Sequence, residues 1–236
     1  VSSDRLYFRQ LLAGRDFAVG DPIARQMVNF AYVIGDTVTK EAVIVDPAYA
    51  VSDLVDVIRG EGMEVVGALA THYHADHVGG SLFGHQIAGI TELLEIVDVP
   101  IHVQREEEPW VARTTGVTSE LVAHAPGDVV TVGEIAITCI HTPGHTPGSQ
   151  CLLVEDCLVS GDTLFLEGCG RTDLPGSDPE EMYRTLTERL SVVSDQTVLF
   201  PGHLYAAEPS QPMGETRKWN YVLVPRTKDE WLAAFA

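Results

Sequence analysis

The stretch Thr71-His72-Tyr73-His74-Ala75-Asp76-His77-Val78-Gly79-Gly80 decides the reading of this chain. It follows an apolar run, 65–70, that reads as a buried β-strand, so its polar side chains emerge at a strand end. In extended backbone, side chains two residues apart point the same way, and His72 and His74 can therefore grip one metal ion. Asp76 and His77 follow in the turn and can serve a second. The glycines behind them let the backbone come close.

Three later segments repeat the arrangement. His141-Thr142-Pro143-Gly144-His145-Thr146-Pro147-Gly148-Ser149 follows a strand over 135–140 and holds His145 between two Pro-Gly turns. Ser160-Gly161-Asp162-Thr163 follows Leu158-Val159, and Pro201-Gly202-His203 follows a strand over 197–200. Each places a ligand-type side chain at a strand end. Five imidazoles and two carboxylates suit two borderline metals about 3.5–4 Å apart, with one carboxylate bridging and open positions left for water. His85, His102, His124 and His141 read as ordinary core or surface histidines. Asp46, which ends an apolar strand before Pro47, either orients a ligand histidine or caps a turn. Cys169, between glycines, reads as a small buried residue rather than a nucleophile.

Around these segments the pattern alternates strands and helices. Strands are expected over 28–34, 42–45 and 65–70, with a helix carrying Val51, Leu54, Val55 and Ile58 at i, i+3, i+4, i+7 between the last two. Residues 80–116 read as mixed helical turns with a strand over 100–103. A meander of short β-branched strands follows over 129–132, 135–140, 151–154 and 158–160. Asp178-Pro179-Glu180-Glu181 opens a further helix through a cap and a first-turn proline. The expectation is a single domain over 1–236 with a short tail from about 209 to 236.

The 236 residues carry 34 acidic against 15 basic side chains, a net charge of −19. That field repels phosphate backbones and anionic headgroups, which argues against nucleic acid and membrane partners. No apolar run approaches the roughly 20 residues of a membrane span, and no basic segment with an apolar stretch opens the chain. Cys139, Cys151, Cys157 and Cys169 form no C-x-x-C pair and read as reduced, so a cytoplasmic protein is expected.

The pattern H-x-H-x-D-H, then His, Asp and His, resembles the metallo-β-lactamase superfamily. The resemblance implies an α/β fold, an αββα sandwich of two mixed β-sheets flanked by helices, with the site at one edge between the sheets. It implies that His72, His74 and His145 hold the first metal, that Asp76, His77 and His203 hold the second, and that Asp162 bridges. Asp162-Thr163-Leu164-Phe165, Gly168-Cys169-Gly170-Arg171-Thr172-Asp173 and Gly202-His203-x-Tyr205 look like the branch containing glyoxalase II and the persulfide dioxygenases, which act on glutathione-linked sulfur compounds. By that likeness Arg171 and Tyr205 reach the thiol carrier. Glyoxalase II adds a helical extension with basic residues; here Arg217, Lys218, Arg226 and Lys228 in the short tail can supply positive charge.

The function implied is a metal-dependent hydrolase of a small thiol-linked thioester, similar to hydroxyacylglutathione hydrolase. Two Zn²⁺ ions, with Fe²⁺ as the alternative, would generate the attacking hydroxide, and Asp76 would orient the water. The rival is an oxidoreductase, a persulfide dioxygenase with one Fe²⁺ held by His72, His145 and Asp162. A noncatalytic relative would be expected to lose ligands, and none is missing.

Overall fold

In the computed structural model, which describes residues 4–235, the first half of the chain builds one sheet and its covering helices. It runs β1 (Leu6–Leu12), α1 (Pro22–Met27), β2 (Phe30–Asp36), β3 (Glu41–Val45), α2 (Val51–Gly60), β4 (Glu64–Leu69), α3 (Ala75–Val78), β5 (Gly80–Leu82), β6 (His85–Ile87), α4 (Ile90–Ile96), β7 (Ile101–Gln104), α5 (Glu108–Thr115) and β8 (Leu121–His124). The strand order is β1-β2-β3-β4-β7-β8, antiparallel at the β1 edge and parallel from β3 onward. β5 and β6 form a separate hairpin.

The second half runs β9 (Val129–Val132), β10 (Ile135–His141), β11 (Gln150–Val154), β12 (Cys157–Gly161), α6 (Pro179–Arg184), β13 (Val198–Pro201), β14 (Gln211–Pro212), α7 (Met213–Trp219) and α8 (Lys228–Phe235). Its sheet order is β14-β13-β12-β11-β10-β9, with β12 and β13 parallel and the other neighbours antiparallel. A π-helical turn, Thr185–Arg189, extends α6.

Strand alternation divides the apolar residues among three cores. On β2, Phe30, Tyr32 and Ile34 pack between the sheets against Ile137, Leu152 and Val159. Their neighbours Ala31 and Val33 face the other way, under Leu54, Ile58, Leu93 and Val111 of the helices. A strand covered on both faces must be apolar throughout, and every residue of β2 is buried. The outer face of the second sheet packs Leu158 and Leu199 against Met182, Leu186, Met213 and Trp231. The architecture is therefore the expected αββα sandwich. Among the described residues no helix is long and apolar enough to cross a membrane.

The expected helix at 51–58 is α2, which buries Val51, Leu54, Val55 and Ile58. The Asp178 carboxylate caps α6 by accepting from the Glu180 and Glu181 amides. Several elements went unanticipated. α1 is capped by Asp21 with Pro22 behind it, a start signal hidden by the helix's brevity. Val28, taken above as the first strand residue, is instead the left-handed C-cap of α1 at φ 51°, so β2 begins at Phe30. β1 and β8 are sheet edges, where one partner strand suffices and the apolar pattern is weak.

Within the expected short tail, of which 209–214 reads as loop-like, residues 211–235 supply β14, α7 and α8. Trp231 is 1% exposed, and its indole donates to the Val222 carbonyl at 2.9 Å. Trp231→Ala should lower unfolding free energy by about 3–5 kcal/mol in urea titrations. A loss below about 1 kcal/mol would show that the segment does not share the core.

Candidate metal centre

The ends of β4, β10, β12 and β13 meet at one edge of the sandwich, and their following loops carry the seven residues singled out in the sequence. His72 follows β4; His74 is the N-cap of the one-turn helix α3, which carries Asp76 and His77. His145 follows β10, Asp162 follows β12 and His203 follows β13. The structure brings all seven together. Ligand atoms of His72, His74 and His145 lie within 4.8 Å of one another, as do those of His72, His77 and Asp162, and those of Asp76, His77 and His203. Asp162 reaches both sides: Oδ2 is 3.3 Å from His203 Nε2 and 3.7 Å from His145 Nε2, and Oδ1 is 3.4 Å from His77 Nε2.

The outward nitrogens explain why the inward ones are free for metal. His145 Nδ1 donates to the Arg171 carbonyl at 2.8 Å and His203 Nδ1 to the Met27 carbonyl at 2.7 Å. His77 Nδ1 donates to Asp46 Oδ2 at 2.9 Å. Thr71 donates its hydroxyl to the same Asp46 oxygen, so its Oγ1 accepts from His72 Nδ1 at 3.0 Å. Each bond engages Nδ1 and leaves Nε2 turned toward the cluster. Of the two roles open to Asp46 it performs both, orienting His77 and accepting the Thr71 amide at 2.7 Å.

Two buried atoms of this cluster, His72 Nε2 and Asp162 Oδ1, have no hydrogen-bond partner among the described residues. Buried acceptors without donors are costly, and a cation between them removes the cost. The donor set of imidazole and carboxylate thus fits divalent ions such as zinc or iron.

The charges respond to one another strongly. Burial pulls the His77 imidazole down, but Asp162, Asp76 and Asp46 reverse this and hold it at about 10. Burial and the neighbouring His145 push His74 down to about 4. Burial pushes the Asp162 carboxyl up, and His203 and His77 overcome it, leaving the group well below the usual carboxylate range.

The two residues assigned to the substrate lie differently. Tyr205 is half exposed and stacks on the His203 ring, centroids 4.6 Å apart and planes within 7°, with Phe165 at its edge. The Arg171 guanidinium is exposed and paired with Asp173 at 2.8 and 2.9 Å, while its carbonyl holds His145. Burial drives the Cys169 thiol up to about 12, so it carries no thiolate at neutral pH.

Three buried residues escaped the sequence reading. Asn29 and Tyr49 stand behind Asp76. Glu107 joins two ligand loops, accepting from the Tyr73 amide and the Gly148 amide, each at 2.7 Å. It sits in Arg105-Glu106-Glu107-Glu108, a charge run that reads as solvated surface and so conceals its one buried member.

Residues 25–203 match the Metallo-beta-lactamase superfamily, and the chain belongs to that family. Most of its members are hydrolases. Curated relatives include a probable polyketide biosynthesis zinc-dependent hydrolase of Bacillus subtilis, 27% identical over 81% of this chain and 80% of the relative. The hydroxyacylglutathione hydrolase of Shewanella halifaxensis is 33% identical over 75% of this chain and 62% of its own. The mitochondrial persulfide dioxygenase ETHE1 of Homo sapiens is 27% identical over 90% and 80%. Among solved structures, ETHE1 from Myxococcus xanthus superposes with TM-score 0.78 at 26% identity, covering 96% of this chain and 88% of that one. Another, in a di-iron-bound form, gives TM-score 0.64 at 26% identity over 83% and 95%.

Glu107 yields a pH test. Burial raises its carboxyl to about 7 in the folded chain, against an ordinary value of 4.5. Between those values the folded state holds a proton that the unfolded state has lost, so stability falls as pH rises from about 4.5 to 7. Glu107→Gln lacks this effect. Denaturant titrations at pH 5 and pH 8 should show the variant gaining on wild type by up to about 3 kcal/mol across the interval. An unchanged difference would mean that Glu107 is ionised throughout.

Proposed function

We propose that the chain is a binuclear metallohydrolase that cleaves a small thioester joined to an anionic thiol, acting in the cytoplasm. The observation that carries this reading is the completeness of the second ligand set. Asp76, His77 and His203 converge beside Asp162, with His77 and His203 anchored through Nδ1. Two divalent ions, zinc before iron, would supply Lewis acidity there, making water acidic enough to ionise near neutral pH.

The chain's own residues do the rest. Asp76, with Oδ2 held by Asn29, orients the attacking water and keeps its lone pair toward the acyl carbon. The thiolate leaves without a strong acid, so no proton donor is required opposite it. Tyr205, stacked on His203, offers a flat wall to the thiol carrier. Arg171 takes the carrier's carboxylate in two parallel hydrogen bonds. Its present partner Asp173 is an exposed counter-ion, which stabilises little and exchanges easily.

A second reading, the persulfide dioxygenase with one Fe²⁺ on His72, His145 and Asp162, draws support from coverage. The chain spans 88% of the Myxococcus xanthus protein but 62% of the hydroxyacylglutathione hydrolase. Thiol release under strict anaerobiosis separates the two. The hydrolase releases thiol from an acyl thioester at an undiminished rate, and a requirement for Fe²⁺ and O₂ with a persulfide would replace it with the dioxygenase.

Zinc-supplied protein should hold close to two ions per chain, and Asp162→Ala should lose metal and activity together. Activity above about a tenth of wild type would remove Asp162 from the bridge. Arg171→Ala should raise KM roughly tenfold, about 1.4 kcal/mol, with kcat within a few-fold and metal content unchanged. Normal KM with collapsed kcat would place Arg171 in the chemical step instead.

A further inference from the structure

We propose that Tyr49 and Asn29 form a positioning relay that sets the Asp76 carboxylate and thereby controls the second ion position while leaving the first alone. Both residues are buried, Asn29 at 3% and Tyr49 at 4% exposure. The Tyr49 hydroxyl donates to Asn29 Oδ1 at 2.9 Å, and Asn29 Nδ2 donates to Asp76 Oδ2 at 3.0 Å. The same nitrogen lies 3.2 Å from His77 Nε2 and 3.4 Å from His203 Nε2. Asn29 therefore touches all three members of one ligand group. Among the described residues it has no hydrogen bond to His72, His74 or His145.

The relay has a defined polarity. An asparagine amide has nearly the same shape with its oxygen and nitrogen exchanged, so something must choose between the two orientations. Facing Asp76 with the oxygen would set a carbonyl against a carboxylate; facing it with the nitrogen gives a charge-assisted hydrogen bond. The phenol holds the second orientation by donating to Oδ1, and burial, with Asp76 nearby, keeps that phenol protonated.

The backbone is committed to the same end. Asn29 bridges His203 just before β2 and accepts the Ala13 amide at 2.9 Å, so its main chain is fixed to a ligand-bearing loop. Tyr49 adopts φ 67°, unusual for a bulky residue, and its amide is tied to the Ala88 carbonyl at 2.8 Å. Strained residues held by their surroundings concentrate where a side chain must be aimed. Tyr49 is aimed at Asn29.

The proposal rests on the two-ion reading above, and its test counts ions rather than turnover. Zinc is titrated against a chromophoric chelator in wild type, Tyr49→Phe, Asn29→Ala and the double variant. Wild type should take two ions. Each single variant should bind the second about tenfold more weakly, in the range typical of partners that orient a ligand, with the first unchanged within about twofold. Because Tyr49 acts through Asn29, the double variant should bind no more weakly than Asn29→Ala alone. Equal weakening at both positions, or independent losses that multiply in the double variant, overturns the relay while the two-ion reading stands. A wild type that takes a single ion overturns both. If Asn29→Ala does not fold, selectivity in Tyr49→Phe decides: loss at the second position alone supports the relay, and loss at both or neither rejects it.

Discussion

The Asp46 carboxylate is the fixed point from which the metal centre is built. It stands at the end of β3, where the parallel ladder to β4 runs out, and takes three donors: the Thr71 amide, the Thr71 hydroxyl and His77 Nδ1. One bond shapes the turn that leads out of β4, and another orients His77 directly. Through the Thr71 hydroxyl the same carboxylate orients His72 as well. A buried carboxylate surrounded by donors is rigid, because losing any of them strands a charge. Two ligand histidines are thus set by one acid, and each belongs to a different ligand group on its non-shared side.

Charge makes this arrangement conditional on cations. Asp46, Asp76 and Asp162 are gathered at one edge of a protein that already carries a net charge of −19. Without ions, His77 and His203 are driven toward protonation, each raised against the pull of burial by Asp162 and its neighbours. His72 and His74 are pushed down, because burial and the neighbouring imidazoles outweigh the pull of Asp162. The asymmetry separates the positions chemically. The three-histidine side is shifted toward neutral imidazoles, whereas on the side containing Asp76 the carboxylates are lowered and their imidazole partners raised.

The seven ligand-type residues were legible because strand ends and imidazoles coincide in the sequence, and a turn does not need imidazole. The cores were legible where period and length agreed, as in α2 and in β9 to β12. What escaped shares one physical cause, that partnership across the fold leaves no local mark. Asn29 sits between a helix cap and a strand, Tyr49 follows an Asp-Pro pair, and Glu107 lies among exposed charges. Each matters only through a residue 20 or more positions away. The boundary error at Val28 is of a different kind: an apolar residue continues the strand pattern on paper but caps a helix in left-handed conformation. The tail was read as too short for a core of its own, and it packs onto the outer face of the second sheet through Trp231.

That tail also closes the path back to the metal. Asn220, fully buried at the C-terminal end of α7, donates to the Phe165 and Gly168 carbonyls and accepts the Gly168 and Val222 amides. With all its polar capacity used on backbone, it clamps the loop that runs from Asp162 toward Arg171. Gly170 lies in that loop so near the Asp162 carbonyl and the His145 ring that an added Cβ would fall 2.0 and 2.8 Å from them. The next carbonyl, that of Arg171, fixes the His145 tautomer. Glycine is required there because the loop must press against a ligand histidine, and the tail keeps it pressed. Placement of His145 therefore depends on a segment outside the matched 25–203 region, and Asn220 ties that segment to the metal centre.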